Sequence, residues 1–292
     1  MVIDAGDGPH LPPPTIPRVD VAASAAGRNP TGASVPTIDY ADLDSAPGLQ
    51  RWLRVLLDEG AIIVEGTPNR DGQVLRLAAY VGYARPTNFG VQFDVESKPD
   101  PNSSAYTALG LDLHTDLANY ANPPDFQFLH ALVNDATGGE STLVDGLAVA
   151  QELRHINPDA FETLCTWPVP FRFHDADDDV CFSAPIFDYR GGSVHSMRFN
   201  NWIRDIDWSA QGVDGNRFYD AYISLWQLLR SPQFLISFRL AAGQAMCFDN
   251  RRMLHGRTAF DPQSGPRHLQ GCYVDRDMLA SRLRVSMRRA VD

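Results

Sequence analysis

The chain has 292 residues, and its 25 basic and 36 acidic side chains give a formal charge of −11 at pH 7. This acidic balance argues against non-specific binding to nucleic acid or to an anionic membrane, because both need a positive protein field. No stretch reaches the roughly 20 apolar residues that cross a bilayer, and four scattered cysteines are too few for a disulfide framework. We therefore expect a cytoplasmic protein with a large core and no nucleic-acid or membrane partner.

Residues 1–36 differ in composition from the rest of the chain. They contain seven prolines and four glycines, which interrupt any helical or strand periodicity. They also lack the basic start and the continuous apolar stretch of a secretory signal. We predict a flexible, Pro/Gly-rich leader over residues 1–36 and one catalytic domain over residues 37–292.

Helical periodicity comes first in the chain after this leader. An apolar stripe at helical spacing runs from Leu49 to Leu56, and Gly60 stands where a C-terminal cap is expected. Asp145 is a suitable N-cap for a later helix that runs to Leu153. The predicted helices cover residues 47–59, 74–81, 145–153 and 214–229.

Short β segments bounded by Gly, Pro, Asn or Asp make up most of the remainder. They show no βαβ rhythm, so the pattern predicts a mainly β fold with flanking helices, either a β-sandwich or a jelly roll. The predicted strands cover residues 61–64, 126–133, 180–187, 194–200, 234–240, 244–249 and 267–275.

The segment Leu111–Asp116 carries the most informative chemistry. If it is extended, alternate side chains share a face, so His114 and Asp116 project together. His255 follows a predicted strand end and a short turn, and it can supply a third ligand. Two histidines and one carboxylate form a facial triad, which leaves three coordination positions open and suits Fe(II).

Open coordination positions imply a co-substrate, and Arg267 indicates which one. Arg267 stands twelve residues after His255 and opens an apolar strand, where an unpaired guanidinium would be costly. Its planar fork matches a carboxylate. A metal with room for a keto-acid chelate, and an arginine for the far carboxylate of that acid, describe the binding of 2-oxoglutarate, with O₂ as the second co-substrate.

Motifs along the chain carry a family resemblance. The matching segments, which follow the order of the family, are residues 104–107, 114–116, 123–130, 138–146, 248–250, 254–257, 267–269 and 281–285. From about residue 37 to residue 288 the chain resembles the γ-butyrobetaine hydroxylase and trimethyllysine hydroxylase branch of the taurine-dioxygenase-like Fe(II)/2-oxoglutarate oxygenases. The resemblance implies a double-stranded β-helix. It also implies that His114, Asp116 and His255 bind iron and that Arg267 binds 2-oxoglutarate. It also implies that Ser141 supports 2-oxoglutarate.

The same resemblance implies a substrate pocket. In γ-butyrobetaine hydroxylase an aromatic cage binds a trimethylammonium group by cation–π attraction. The corresponding positions are all aromatic in this chain: Phe89, Phe93, Tyr106 and Tyr273. The candidates for polar contacts with the substrate are Ser103, Asp112, Asn200 and Asn201. We expect a small cationic or betaine-like amine as the substrate, and the alternative for Phe89 and Phe93 is plain core packing.

Other activities stay open at this stage. The same iron chemistry on an amino acid or a natural-product intermediate would give desaturation, cyclisation or C–C cleavage. The same three ligands around Zn²⁺ would give a hydrolase, which leaves Arg267 without a role. A non-catalytic jelly roll that senses 2-oxoglutarate or a betaine is a third hypothesis.

Members of the family often carry an additional N-terminal domain with clustered Cys and His ligands. The first cysteine of this chain is Cys165, so we expect that this domain is absent. Because such a domain can contribute to dimer contacts, the oligomeric state stays open, with a homodimer as one candidate. The C-terminal basic residues are expected to be surface charge or to face a second subunit: Arg282, Arg284, Arg288 and Arg289.

Overall fold

The computed structural model describes residues 34–96, 107–206 and 212–289. The α-helices in these ranges are α1 (Ala46–Glu59), α2 (Gln73–Ala79), α3 (Gly146–Ile156), α4 (Pro158–Thr166), α5 (Gly212–Leu229) and α6 (Arg276–Arg289), and a short 3-10 helix covers Tyr40–Asp44. The strands are β1 (Thr37–Asp39), β2 (Ala61–Glu65), β3 (Phe93–Glu96), β4 (Leu111–His114), β5 (Phe126–Asn134), β6 (Thr137–Gly138), β7 (Ser141–Asp145), β8 (Val169–His174), β9 (Asp179–Ala184), β10 (Phe187–Arg190), β11 (Ser193–Met197), β12 (Ile236–Phe238), β13 (Ala245–Asp249), β14 (Met253–Arg257), β15 (Phe260–Asp261) and β16 (Arg267–Val274).

Two sheets form the centre of the fold. The larger sheet has the strand order β1-β2-β13-β5-β16-β3, and the smaller sheet has the order β12-β7-β14-β4. Apolar side chains from both sheets pack together between them, such as Ile63 and Met246 from the larger sheet and Leu143 and Met253 from the smaller one. This arrangement is the double-stranded β-helix, or jelly roll, and the predicted fold class is confirmed.

Helices cover the outer faces of both sheets. Along β2, Ile62 and Val64 point toward α1, α2 and α6, whereas Ile63 points into the space between the sheets. The buried Trp52 of α1 meets Phe128 of the larger sheet, with ring centroids 5.6 Å apart. Helices α3, α4 and α5 cover the smaller sheet in the same way. The metal-ligand candidates on the smaller sheet are therefore backed by a rigid layer.

The predicted helices agree closely with the structure. Gly60 adopts the left-handed conformation with φ of 83° and ends α1, as its position indicated. The carboxylate of Asp145 accepts a hydrogen bond from the Leu147 N–H at 3.0 Å and caps α3, which runs three residues past Leu153. The sequence analysis did not find α4 and α6. Helix α6 is rich in arginine and buries a narrow apolar stripe that includes Leu279 and Leu283.

The strand predictions differ from the structure in three places, which are residues 180–187, residues 194–200, where β11 ends at Met197, and residues 234–240. Residues 180–187 form parts of two strands, because β9 pairs with β8 whereas β10 pairs with β11. Pro185 stands between the two strands, and it has no N–H to continue a ladder. The predicted strand at residues 234–240 also shortens to the three residues of β12.

The ends of the chain are described only in part. Residues 1–33 of the predicted leader lie outside the described residues, so the division into a leader and one domain stays a prediction. Near the other end, Arg282 Nε donates to the Tyr80 carbonyl at 2.7 Å, so this side chain attaches α6 to α2 and is more than surface charge. Among the described helices, none combines the length and the apolar character that a bilayer crossing requires.

One buried ion pair connects the helices to the turn that follows β13. Arg252 is 1% exposed, and its Nε and Nη2 donate to the two carboxylate oxygens of Asp145 at 3.2 and 2.8 Å. Its Nη1 donates to the Asp58 carbonyl at 2.8 Å. Burial by itself lowers the pKa of Arg252, but Asp145 outweighs it and the net shift is upward. This pair therefore ties α1 and α3 to the turn between β13 and β14.

We expect Arg252→Met to lower the free energy of unfolding by about 3–5 kcal/mol, because Asp145 would stay buried without its partner. Urea unfolding followed by circular dichroism measures the change. Arg172→Met is the matched control, because Arg172 forms a similar fork with Asp179 at the surface, where solvent screens the pair. Equal losses in the two variants would contradict the prediction.

Candidate active site

Two histidines lie side by side on the smaller sheet. His114 ends β4, His255 lies within β14, and the two residues are direct partners in the antiparallel pairing. Asp116 Oδ1 lies 3.3 Å from His114 Nε2 and 3.7 Å from His255 Nε2. The ligand atoms of the three residues all lie within 4.8 Å of one another, so this group could hold one metal ion. We call it the His-Asp-His group.

Asp116 joins this group for a reason that differs from the predicted one. Strand β4 ends at His114, so Asp116 lies in the turn after the strand and not on its face. The Asn250 side chain holds the turn: its Oδ1 accepts from the Asp116 N–H at 2.7 Å, and its Nδ2 donates to the Asp116 carbonyl at 3.1 Å. Leu117 has a φ of 54°, which reverses the chain at this point.

The protonation states of His255 and Asp116 suit a metal site. Burial, and then the neighbouring His114, lower the pKa of His255 to about 3, so its imidazole is neutral at pH 7. Burial alone would raise the pKa of Asp116, but His255, His114 and Tyr273 outweigh it and hold this pKa below its ordinary value. The carbonyl of Asp112 lies 2.9 Å from His114 Nδ1, which directs the other ring nitrogen toward Asp116. Neutral imidazole and ionised carboxylate are the forms that bind metals.

A cavity of about 170 Å³, bounded by described residues, opens onto the His-Asp-His group. Arg267 and Tyr273 both line it from β16, because residues an even number of positions apart share one face of a strand. They are six residues apart, which corresponds to roughly 20 Å along the strand. The cavity therefore has an arginine region and an aromatic region, and the His-Asp-His group opens into the same space.

Arg267 is the main feature of the arginine region. It is 8% exposed, and its Nε and Nη1 have no hydrogen-bond partner among the described residues. Burial, and then Arg239, lower the pKa of Arg267 to about 10, so the guanidinium is still charged at pH 7. The buried Ser141 of β7 also lines the cavity. A buried guanidinium that faces a cavity without an acidic partner is a site for an anion.

The aromatic region contains two pairs of rings. Phe93 lies beside Tyr273 with ring centroids 5.2 Å apart, and Phe89 meets Phe173 edge-on at 5.7 Å. A Cβ atom on Gly271 would lie 2.3 Å from the Phe93 ring, so only glycine lets that ring lie against β16. The sequence analysis did not identify Phe173. Two other candidates, Ser103 and Tyr106, lie outside the described residues.

The polar candidates for substrate binding separate into two groups. Asn200 is buried and lines the cavity. Asn201 and Asp112 lie outside the lining that the described residues form, and their role as substrate contacts stays a prediction. The side chain of Asn201 accepts a hydrogen bond from the Tyr222 hydroxyl, and the carboxylate of Asp112 lies 3.7 Å from Arg230.

Several residues of the site were not found from the sequence. Arg257 lines the cavity next to Arg267, and its Nη2 donates to the carbonyls of Thr107 and Leu109. The half-exposed Trp202 meets His114 edge-on with ring centroids 5.3 Å apart. Asn250 and Arg257 stand within the matching segments 248–250 and 254–257, and this was the available signal for them.

Comparisons with known proteins identify the family. Residues 23–273 match the family model described as "Taurine catabolism dioxygenase TauD, TfdA family". Gamma-butyrobetaine dioxygenase of Pseudomonas sp. (strain AK-1) is 46% identical over 260 residues, which are 88% of this chain and 67% of that protein. The mitochondrial trimethyllysine dioxygenase of Gallus gallus is 32% identical over 253 residues, which are 84% of this chain and 60% of that protein.

A solved structure supports the fold. The crystal structure of an asparagine oxygenase in complex with Fe(II), 3-hydroxyasparagine and succinate superposes with a TM-score of 0.63. The match has 18% sequence identity and covers 82% of this chain and 93% of that one. The resemblance found in the sequence is thus confirmed: the chain belongs to the TauD/TfdA family and is a dioxygenase that depends on Fe(II) and 2-oxoglutarate.

Proposed function

We propose that this dioxygenase hydroxylates an unactivated C–H bond of a small quaternary ammonium or betaine-like substrate. The names of its relatives give γ-butyrobetaine and trimethyllysine as the substrates of those proteins. The observation that carries the proposal is one continuous cavity, which is lined by the His-Asp-His group, the buried Arg267 and a wall of aromatic rings. A metal, a dianion and an organic cation each find a matching surface there.

We assign Fe(II) to His114, Asp116 and His255, and the far carboxylate of 2-oxoglutarate to Arg267. Two imidazoles and one carboxylate are the donor set that non-haem iron oxygenases use, and they leave positions for the keto acid and O₂. We assign Ser141, which also lines the cavity, to the support of the same carboxylate. When bound, Fe(II) and 2-oxoglutarate supply, with O₂, the oxidising power that breaks an unactivated C–H bond, and succinate and CO₂ are the coproducts.

The charges of the cavity orient the substrate. Arg257 and Arg267 repel a cationic group, so such a group binds away from them, beside Phe93 and Tyr273. Faces of aromatic rings attract a quaternary ammonium ion through the ring quadrupole. The carboxylate of Asp94 does not add to this attraction, because it is bonded to His268 and Gln270 on the opposite face of the sheet from Phe93. The C–H bond to be oxidised then lies between this region and the metal ligands.

The half-exposed Trp202 shields the reacting region on its outer side. Its ring meets His114 edge-on, and the side-chain oxygen of Asn200 accepts from the backbone N–H of Trp202 at 3.0 Å. This bond holds the tryptophan beside the metal-ligand group. We infer that Trp202 limits the access of water and that Asn200 contacts the anionic end of the substrate.

The metal assignment predicts an optical signal. Anaerobic addition of 2-oxoglutarate to the Fe(II)-loaded protein should give a weak visible charge-transfer band, which a zinc hydrolase would not give. Asp116→Ala should lose both this band and succinate formation, because a facial triad needs its carboxylate. Asp188→Ala, which removes a surface carboxylate paired with Arg190, is the control and should retain both. Succinate formation at the wild-type rate by the Asp116 variant would rule out the assignment.

The assignment of Arg267 predicts an effect on one KM. Arg267→Lys keeps the charge but loses the planar fork, so the KM for 2-oxoglutarate should rise by about 10- to 100-fold, as expected for a lost charged hydrogen bond. Steady-state assays of succinate formation measure it. Arg230→Lys, at a surface arginine outside the cavity lining, should leave this KM unchanged. An unchanged KM in the Arg267 variant would show that the dianion binds elsewhere.

The aromatic region predicts that the site distinguishes a cationic ligand from a neutral ligand of the same shape. Phe93→Leu should raise the KM for γ-butyrobetaine by about 3- to 30-fold, because it removes a cation–π contact while it keeps an apolar wall. Binding of the neutral carbon analogue, in which a quaternary carbon replaces the nitrogen, should change little, and isothermal titration under anaerobic conditions compares the two. If both ligands bind more weakly by the same factor, Phe93 acts only through packing.

NMR of the product distinguishes hydroxylation from desaturation or C–C cleavage.

A further inference from the structure

The two carboxylate oxygens of Asp116 have different surroundings. Oδ1 faces the ring nitrogens of His114 and His255, at 3.3 and 3.7 Å. Oδ2 accepts a hydrogen bond of 2.7 Å from the hydroxyl of Tyr273. Oδ1 thus lies beside the two imidazoles, and Oδ2 is bonded to the Tyr273 phenol.

Tyr273 is held firmly in the position from which it makes this bond. It is 3% exposed and lies near the end of β16, where its backbone pairs with Gln127 of β5. Its carbonyl also accepts from the Arg85 N–H at 2.8 Å. Its ring lies beside Phe93 in the cavity wall. One side chain thus contacts both the substrate region and an expected metal ligand.

We propose that Tyr273 is a positioning residue whose hydroxyl restricts Asp116 to binding the metal through Oδ1 alone. The proposal rests on the proposed function, since it requires Asp116 as a metal ligand. It goes beyond the role of an aromatic wall, because a wall needs only the ring and this role needs only the hydroxyl.

The number of coordination positions shows why this restriction matters. Octahedral Fe(II) offers six positions, of which two imidazoles and one carboxylate oxygen occupy three. The remaining three suffice for a bidentate keto acid and O₂. A carboxylate that bound through both oxygens would occupy a fourth position and compete with 2-oxoglutarate. Binding through both oxygens would break the charge-assisted hydrogen bond from the Tyr273 hydroxyl to Oδ2. The hydroxyl therefore disfavours bidentate binding by Asp116.

The test compares wild-type protein with Tyr273→Phe, which keeps the ring and removes the hydroxyl. Fe(II) affinity is measured first without 2-oxoglutarate, and 2-oxoglutarate is then titrated anaerobically at saturating Fe(II), with the charge-transfer band as the readout. In the variant we expect the affinity for 2-oxoglutarate to fall roughly tenfold, the size of one lost charge-assisted hydrogen bond, because that bond no longer opposes the bidentate mode of Asp116. The affinity for Fe(II) alone should not fall, because Oδ2 becomes available to the metal.

A purely structural role of the hydroxyl would give the opposite pattern. Disorder of Asp116 would weaken the binding of Fe(II) itself and would leave the affinity for 2-oxoglutarate at saturating metal unchanged. Tyr80→Phe is the matched control, because the Tyr80 hydroxyl donates to the carboxylate of Asp44 and neither residue lines the cavity that the described residues form. It should behave as the wild type in both titrations.

A second measurement needs no variant. Infrared difference spectra of wild-type protein with isotope-labelled aspartate, with and without Fe(II), separate monodentate from bidentate carboxylates by their stretching frequencies. We expect the monodentate pattern, and a bidentate pattern would overturn the proposal. The two proposals also fail separately. Absence of the charge-transfer band in the wild type contradicts the metal and co-substrate assignment, whereas a wild-type band with unchanged affinities in Tyr273→Phe contradicts only the role of the hydroxyl.

Discussion

The backbone of Asp116 is held in place by one buried side-chain amide, that of Asn250. Asn250 is fully buried, and it bonds both the N–H and the carbonyl of Asp116 as well as the carbonyl of Pro124 at 3.0 Å. These bonds replace the ladder that β4 no longer provides after His114. The left-handed conformation of Leu117 costs about 1–3 kcal/mol for a non-glycine residue, and three bonds to a buried amide can offset such a cost. Two further contacts support the same turn: Thr115 and Phe199 exchange hydrogen bonds of 2.7 and 3.0 Å, and Tyr273 bonds the Asp116 carboxylate itself.

The same turn that carries Asn250 also leads to the second histidine. It contains Arg252, which pairs with Asp145, and it continues directly into β14 and His255. Asp249, at the start of the turn, accepts a hydrogen bond from Arg276 at the beginning of α6. The geometry of the three ligands is therefore coupled to the packing of helices on both sides of the jelly roll. A change far from the cavity can alter the site through this turn.

Sequence patterns could predict those parts of the site that depend on local spacing. His114 and Asp116 are two residues apart, and Arg267 opens an apolar strand, so proximity in the chain was informative even though Asp116 lies in a turn and not on the strand face. The contacts of Asn250 and Tyr273 join residues 134 and 157 positions apart, and no periodicity encodes such pairs. Asn200 and Asn201 show a finer limit. They are adjacent and chemically identical, and only the backbone path decides that one faces the cavity while the other bonds Tyr222.

The charge distribution of the cavity favours one order of binding under the proposed function. The buried guanidinium of Arg267 has no acidic partner among the described residues, and Arg257 lines the cavity nearby. A cationic substrate that enters first meets two positive charges in a poorly screened space. Bound 2-oxoglutarate, as a dianion, would neutralise that repulsion and leave the attraction of the aromatic rings for the cation dominant. Because such coupling is reciprocal, a bound cation must also strengthen the binding of the dianion by the same factor. The two ligands thus stabilise each other without direct contact, and the pair of arginines that holds one of them also sets the orientation of the other.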